Sequence, residues 1–162
     1  MPTVRQKIVA AARWGIRNEP QIHYGQVRPF PLERSLPLTT DCSGFVTLCC
    51  YLAGAPDPNG NGFSGYGWTG TLLTHLDPVE PEDAKAGDIV IWGRYPGHHC
   101  AVVLAPGPDP LLCSHGQERG PVEIRFSTES RYQPTAVAWL SSLPRRTSSA
   151  EQSPAPAGDS AR

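Results

Sequence analysis

Asp41-Cys42-Ser43-Gly44-Phe45-Val46-Thr47-Leu48-Cys49-Cys50-Tyr51-Leu52-Ala53 is the stretch on which the reading of this fold depends. Phe45, Val46, Leu48, Cys49, Cys50, Leu52 and Ala53 leave almost no polar face at helical spacing, so residues from Cys42 to Ala53 read as a helix inside the protein. Gly54 and Pro56 supply its stop. Cys42 then lies at the helix start, where unpaired backbone N–H groups and the positive dipole end favour thiolate. A cysteine in an apolar helix is commonly just a small buried hydrophobe. What singles out Cys42 is His99, at the start of a later apolar strand, which would complete a nucleophile–base pair.

Upstream, Thr3 can cap a first helix reaching Asn18, with Val4, Ile8, Ala11, Ala12 and Gly15 as its packing stripe and Pro20 as its limit. Residues 19–40 are proline-rich, without a regular period, and read as an irregular connection. Downstream, Asp57 to Gly70 is turn-rich and Thr71 to Leu76 can form a short helix. From Asp88 the period changes. Asp88–Trp92, His99–Ala105, Leu111–His115, Val122–Phe126 and Thr135–Leu140 read as short strands separated by Gly or Pro turns. Helices first and strands afterwards predict an α+β domain, the buried helix packed on an antiparallel sheet of five or six strands. That domain spans 1–143; residues 144–162, rich in Ser, Ala, Pro and Arg, read as a disordered tail or linker remnant.

The strands at 99–105 and 111–115 are joined by a proline-rich reversal. If Ala105 faces Leu111, Ala101 faces His115 and Val103 faces Cys113. His99 and His115 then share a sheet face as diagonal neighbours, with Cα atoms about 7–8 Å apart. In this register Cys42 is the nucleophile, His99 the base and later the acid, and His115 the group that orients His99. His98 falls on the opposite face, and Cys100 is expected to point away from the site. A one-residue slip would reverse these assignments. A zinc site built from Cys42, His99, Cys113 and His115 is an alternative, although the local ligand pairs of structural zinc are missing. No metal and no cofactor enter the main reading.

At 162 residues the chain is long enough for one domain with a real core. A net charge of −1, with no basic cluster in the folded part, lacks the electrostatic footprint of nucleic-acid binding. No apolar run approaches a membrane span, and no signal-peptide core opens the sequence. A soluble monomer made in the cytoplasm is expected, meeting outside targets after release or export by another system. Five cysteines form an odd set without Cys-x-x-Cys spacing, which favours reduced thiols over a disulfide framework.

These residues resemble the NlpC-type cell-wall peptidases, papain-like cysteine hydrolases of bacteria and their phages. Asp41-Cys42-Ser43-Gly44-Phe45-Val46 is similar to the family's nucleophile motif, Ala86-Gly87-Asp88-Ile89-Val90 to its strand entry, and Gly97-His98-His99-Cys100-Ala101-Val102-Val103 to its histidine strand. Leu112-Cys113-Ser114-His115 is similar to the segment carrying the third, polar triad member, and Tyr24-Gly25 to an upstream tyrosine that lines the substrate site. The whole string looks closest to phage-encoded, endolysin-like members. The resemblance implies a papain-like fold and hydrolysis of amide bonds in peptidoglycan stem peptides, commonly between D-glutamate and a diamino acid. It assigns catalysis to Cys42, His99 and His115, and an oxyanion or substrate role to Tyr24, Asp41 and Ser43. Tyr66 and Trp68 are candidates for a cleft wall. The alternatives are an amidase cutting between sugar and peptide, another thiol amidase or acyltransferase, and a non-catalytic wall-binding or zinc-binding module.

Overall fold

Thr3 and Gln6 close a reciprocal capping box that starts helix α1 (Val4–Arg17), and Ile8, Ala11, Ala12 and Gly15 are its buried stripe. In this computed structural model residues 1–116 and 120–144 are described; the expected tail lies, from residue 145 on, outside them. Asp41 caps helix α2 (Cys42–Leu52) by accepting the Gly44 N–H at 2.8 Å. Every residue from Cys42 to Cys50 is buried, as the nearly unbroken apolar run requires. Gly15 permits the two helices to close, because a Cβ there would collide with the Phe45 ring.

Residues 19–40 are less irregular than expected. They hold two short parallel strands, β1 (Ile22–Tyr24) and β2 (Leu38–Thr40), paired residue by residue from Ile22↔Leu38 to Tyr24↔Thr40. This pairing delivers Asp41 and Cys42 directly from β2. Gly44 is required here: a side chain would strike the Thr40 hydroxyl. Helix α3 (Thr69–His75) follows the turn-rich stretch.

The main sheet has five antiparallel strands in the order β6-β5-β4-β3-β7: β3 (Ile89–Trp92), β4 (His99–Ala105), β5 (Leu111–Ser114), β6 (Val122–Arg125) and β7 (Val137–Leu140). A short helix absent from the sequence reading, α4 (Phe126–Ser130), follows β6. One sheet face, with Ile89, Ile91, Cys100, Val102, Leu104 and Cys113, packs on α1 and α2. The other, with Val90, Trp92, Ala101, Val103, Leu112 and Trp139, packs on Phe126 of α4. Both faces of β3, β4 and β5 are buried, which is why those strands are apolar without alternation, whereas the edge strand β6 alternates. Among the described residues no helix is long and apolar enough to cross a membrane.

The β4–β5 register departs from the expected one. Ala105 does face Leu111, but Val103 faces Leu112, Val102 faces Cys113 and Ala101 faces Ser114. Leu104 is the extra residue of a bulge. It slips the pairing by one, so Ser114 shares a face with His99 and His115 turns to the other.

Asp88, at the entry to β3, is buried and binds three separate parts of the chain. Its carboxylate accepts from the Arg5 guanidinium of α1, from the Ser142 N–H at 3.0 Å and from the Lys85 N–H at 2.8 Å. Asp88→Ala leaves those donors without an acceptor and should cost about 3 kcal/mol of stability. Urea unfolding measures this, and Asp88→Asn, which retains an acceptor oxygen, should lose less.

Candidate active site

Cys42 and His99 come from elements with no local sequence relation and meet because both occupy the same end of the sheet. Cys42 begins α2; His99 begins β4; the His99 side chain hydrogen-bonds the Cys42 sulfur at the strand end. The His99 ring is fixed from two further sides. It stacks on Trp92 at 5.6 Å with an interplanar angle of 21°, and its Nε2 lies 2.8 Å from the Ser114 hydroxyl. The Glu129 carboxylate of α4 stands 3.7 Å from the same nitrogen, held by the Gln133 side-chain N–H at 2.6 Å.

His115 does not reach His99. Its Nε2 pairs with the Thr40 carbonyl at 2.9 Å, and its ring packs edge-on against Tyr24 and Phe45. Burial pushes its pKa down, opposed by the Thr40 hydrogen bond, so the neutral ring braces β2 against α2. The bulge at Leu104 is the physical reason for this exchange of partners. Ser114 occupies the place that the expected register gave to His115.

Cys100 also departs from expectation, for it lies against Cys42. The Cys100 thiol hydrogen-bonds the Cys42 sulfur and is the largest influence holding Cys42 well below the usual thiol range; burial opposes it and the His99 contact reinforces it. Cys100 itself is driven well above that range by burial and by its hydrogen bond to Cys42. The charge belongs on Cys42, the more exposed of the two, at a helix N-terminus and beside His99. Burial raises the other three thiols, Cys50 to about 12.

Two adjoining depressions open at this point, sharing Tyr24, Gln26 and His98 as their common wall. The smaller, about 360 Å³, exposes Cys42 together with Asp41, Ser43, Arg28 and Trp68. Arg28 was missed by the sequence reading. It donates to Asp41 at 2.9 Å and to the Ser43 hydroxyl at 3.4 Å, placing a cation beside the nucleophile candidate. The larger, about 970 Å³, exposes His99, Ser114, Glu19 and Glu129. Tyr24 borders both, its hydroxyl pKa raised by burial and then by the neighbouring Cys42. Of the two aromatics suggested for a cleft wall, Trp68 lines the smaller depression, whereas Tyr66 is exposed and lines neither. His98 is exposed at the mouth. Among the described residues no three His, Cys, Asp or Glu side chains are placed to hold a metal ion. Cys113 points to the Ala12 carbonyl of α1 and does not join Cys42 and His99.

No family model matches the chain, and no curated protein sequence does. Its fold is similar to that of several solved structures, among them two NlpC/P60 proteins. One is a lipoprotein-like protein of the NLP/P60 family from Staphylococcus aureus subsp. aureus Mu50, with a TM-score of 0.58 and 13% identity over 88% of this chain. The chain spans 42% of that protein's length. The other is the NlpC/p60 domain of the peptidoglycan hydrolase SagA, with a TM-score of 0.53 and 22% identity over 85% of this chain and 97% of that one. The α+β arrangement expected from the sequence is the one these NlpC/P60 proteins have.

Proposed function

We propose that the chain is a cysteine peptidase that hydrolyses amide bonds in the stem peptides of bacterial peptidoglycan. The observation that carries this reading is the Cys42–His99 contact at the edge of an open cleft, with Cys42 held toward thiolate. The shared fold with the domain of a peptidoglycan hydrolase supports the choice of substrate class.

Cys42 attacks the amide carbonyl, and the developing oxyanion is held by backbone N–H groups at the α2 start, with the Tyr24 hydroxyl a second donor from across the cleft. His99 donates to the departing amine and then activates the water that releases the acyl-enzyme. Nε2 is engaged by Ser114, and the ring faces sulfur and substrate through Nδ1 in this scheme. Ser114 fixes the ring, and Glu129 supplies the negative charge that a neutral hydroxyl lacks when His99 is protonated. Asp41 and Ser43 hold Arg28 in the smaller depression, where it suits a carboxylate on the acyl side. The larger depression, with Glu19 and Glu129 near His99, suits an amino-bearing leaving residue. That polarity fits cleavage between D-glutamate and a diamino acid. The phage lysis role suggested by the sequence belongs to the same proposal, with the wall reached after release or export by another system.

Digestion of purified cell walls followed by mass spectrometry tests this, since the new amino terminus identifies the bond. Fragments ending in D-glutamate support it; fragments freed at the sugar–peptide bond would replace it by an amidase, and intact walls would end it. Within this scheme Ser114 is a positioning residue. Ser114→Ala should lower kcat/KM about tenfold, the worth of one buried neutral hydrogen bond. It should also move the pH profile of kcat/KM, which a purely structural role would leave in place. His115→Gln should leave that profile unshifted.

A further inference from the structure

Among the five cysteines, two from distant elements are neighbours in the core between α2 and β4. Cys100 follows His99 on β4 and points with Val102 and Leu104 toward α2, where Cys42 is the first residue. Each thiol acts directly on the other across the packed α2 and β4 elements. Their surroundings differ. Cys42 is 8% exposed and opens on the smaller depression; Cys100 is 1% exposed and lines neither. A dissolved oxidant can therefore reach only Cys42. The remaining thiols are closed off: Cys49 and Cys50 inside α2, and Cys113 against the Ala12 carbonyl of α1.

We propose that Cys42 and Cys100 form a reversible disulfide site, closed by a hydroperoxide and opened by a small dithiol. The Cys42 thiolate attacks one peroxide oxygen, the O–O bond breaks, and the leaving oxygen takes a proton, so that a hydrogen peroxide molecule gives water and Cys42 sulfenic acid. The Cys100 sulfur then attacks the Cys42 sulfur. Its own proton leaves with the displaced hydroxide as water. Two electrons pass from the two thiols to the peroxide, and an S–S bond of about 2.05 Å forms. While closed, the bond occupies the sulfur that the proposed hydrolysis uses. It also spares that sulfur from the sulfinic acid, which thiols do not reverse.

The test treats the full chain with hydrogen peroxide at neutral pH, blocks free thiols with iodoacetamide under denaturing conditions, and reads intact mass and a fragmented peptide map. The expected product is two hydrogens lighter, joins Cys42 to Cys100, and disappears with dithiothreitol as Cys42 becomes alkylatable again. In Cys100→Val the cross-link is lost and Cys42 proceeds to sulfinic acid. The wild-type map decides the matter even if that variant folds poorly. Sulfinic acid on Cys42 without a cross-link in the wild type, or a cross-link between other cysteines, overturns the proposal. Because the readout is mass rather than wall digestion, this outcome is independent of the substrate.

Discussion

Cys42→Ser should abolish the proposed wall hydrolysis, lowering kcat/KM by about 10⁴-fold or more, a loss of the size seen when a covalent nucleophile is removed. The substitution changes one atom of a side chain that is largely buried at the cleft edge, so packing in the core between α2 and β4 is retained. What it removes is acidity. Cys100, the helix start and His99 hold the Cys42 thiol well below its ordinary range, whereas a serine hydroxyl begins far above any reach of those influences. The melting temperature should remain close to wild type while activity vanishes, as measured by turbidity of purified walls and by circular dichroism. Alkylation supplies a second readout. At mildly acidic pH iodoacetamide should modify the wild type once, at Cys42, because burial raises Cys49, Cys50 and Cys113. Residual wall turnover in Cys42→Ser would eliminate the covalent mechanism.

The parts of this molecule that were legible in advance are those set by local chemistry. An apolar run with a breaker behind it specifies α2, and Thr3 with Gln6 specifies the start of α1. The succession of strands along the chain from Ile89 onward follows from Gly and Pro turns. The failures share a different cause. Leu111, Leu112 and Cys113 are all apolar because both sheet faces are buried, so no alternation records which face each one takes. The register was then left to the turn, and one bulged residue exchanged Ser114 for His115. Cys100 was misjudged through the same feature. Pointing away from His99 along a strand does not mean pointing away from Cys42, because α2 covers the opposite face and His99 reaches its partner around the strand end. Strands β1 and β2 were invisible because each is three residues long and exists only by pairing with the other. Arg28 and Glu129 belong to the site through such nonlocal placement alone, and no spacing rule announces them.

His99→Ala should reduce amide hydrolysis by about 10³–10⁴-fold, the usual worth of a general acid–base group. The loss is not uniform across substrates, and the reason lies in Cys100. Without His99 the Cys42 sulfur retains the Cys100 hydrogen bond and the helix start, so part of its nucleophilicity survives. What disappears entirely is the proton for the leaving amine, since Ser114 and Glu129 are organised around the missing ring and cannot take its place beside the scissile nitrogen. An activated ester, whose leaving group departs without protonation, should therefore suffer much less than an amide carrying the same acyl group. The ratio of ester to amide turnover should rise by about 10²-fold in His99→Ala, which assigns the larger share of the His99 effect to leaving-group protonation. An unchanged ratio would mean that His99 acts only by ionising Cys42, and the Cys100 contact would then contribute nothing to the thiolate.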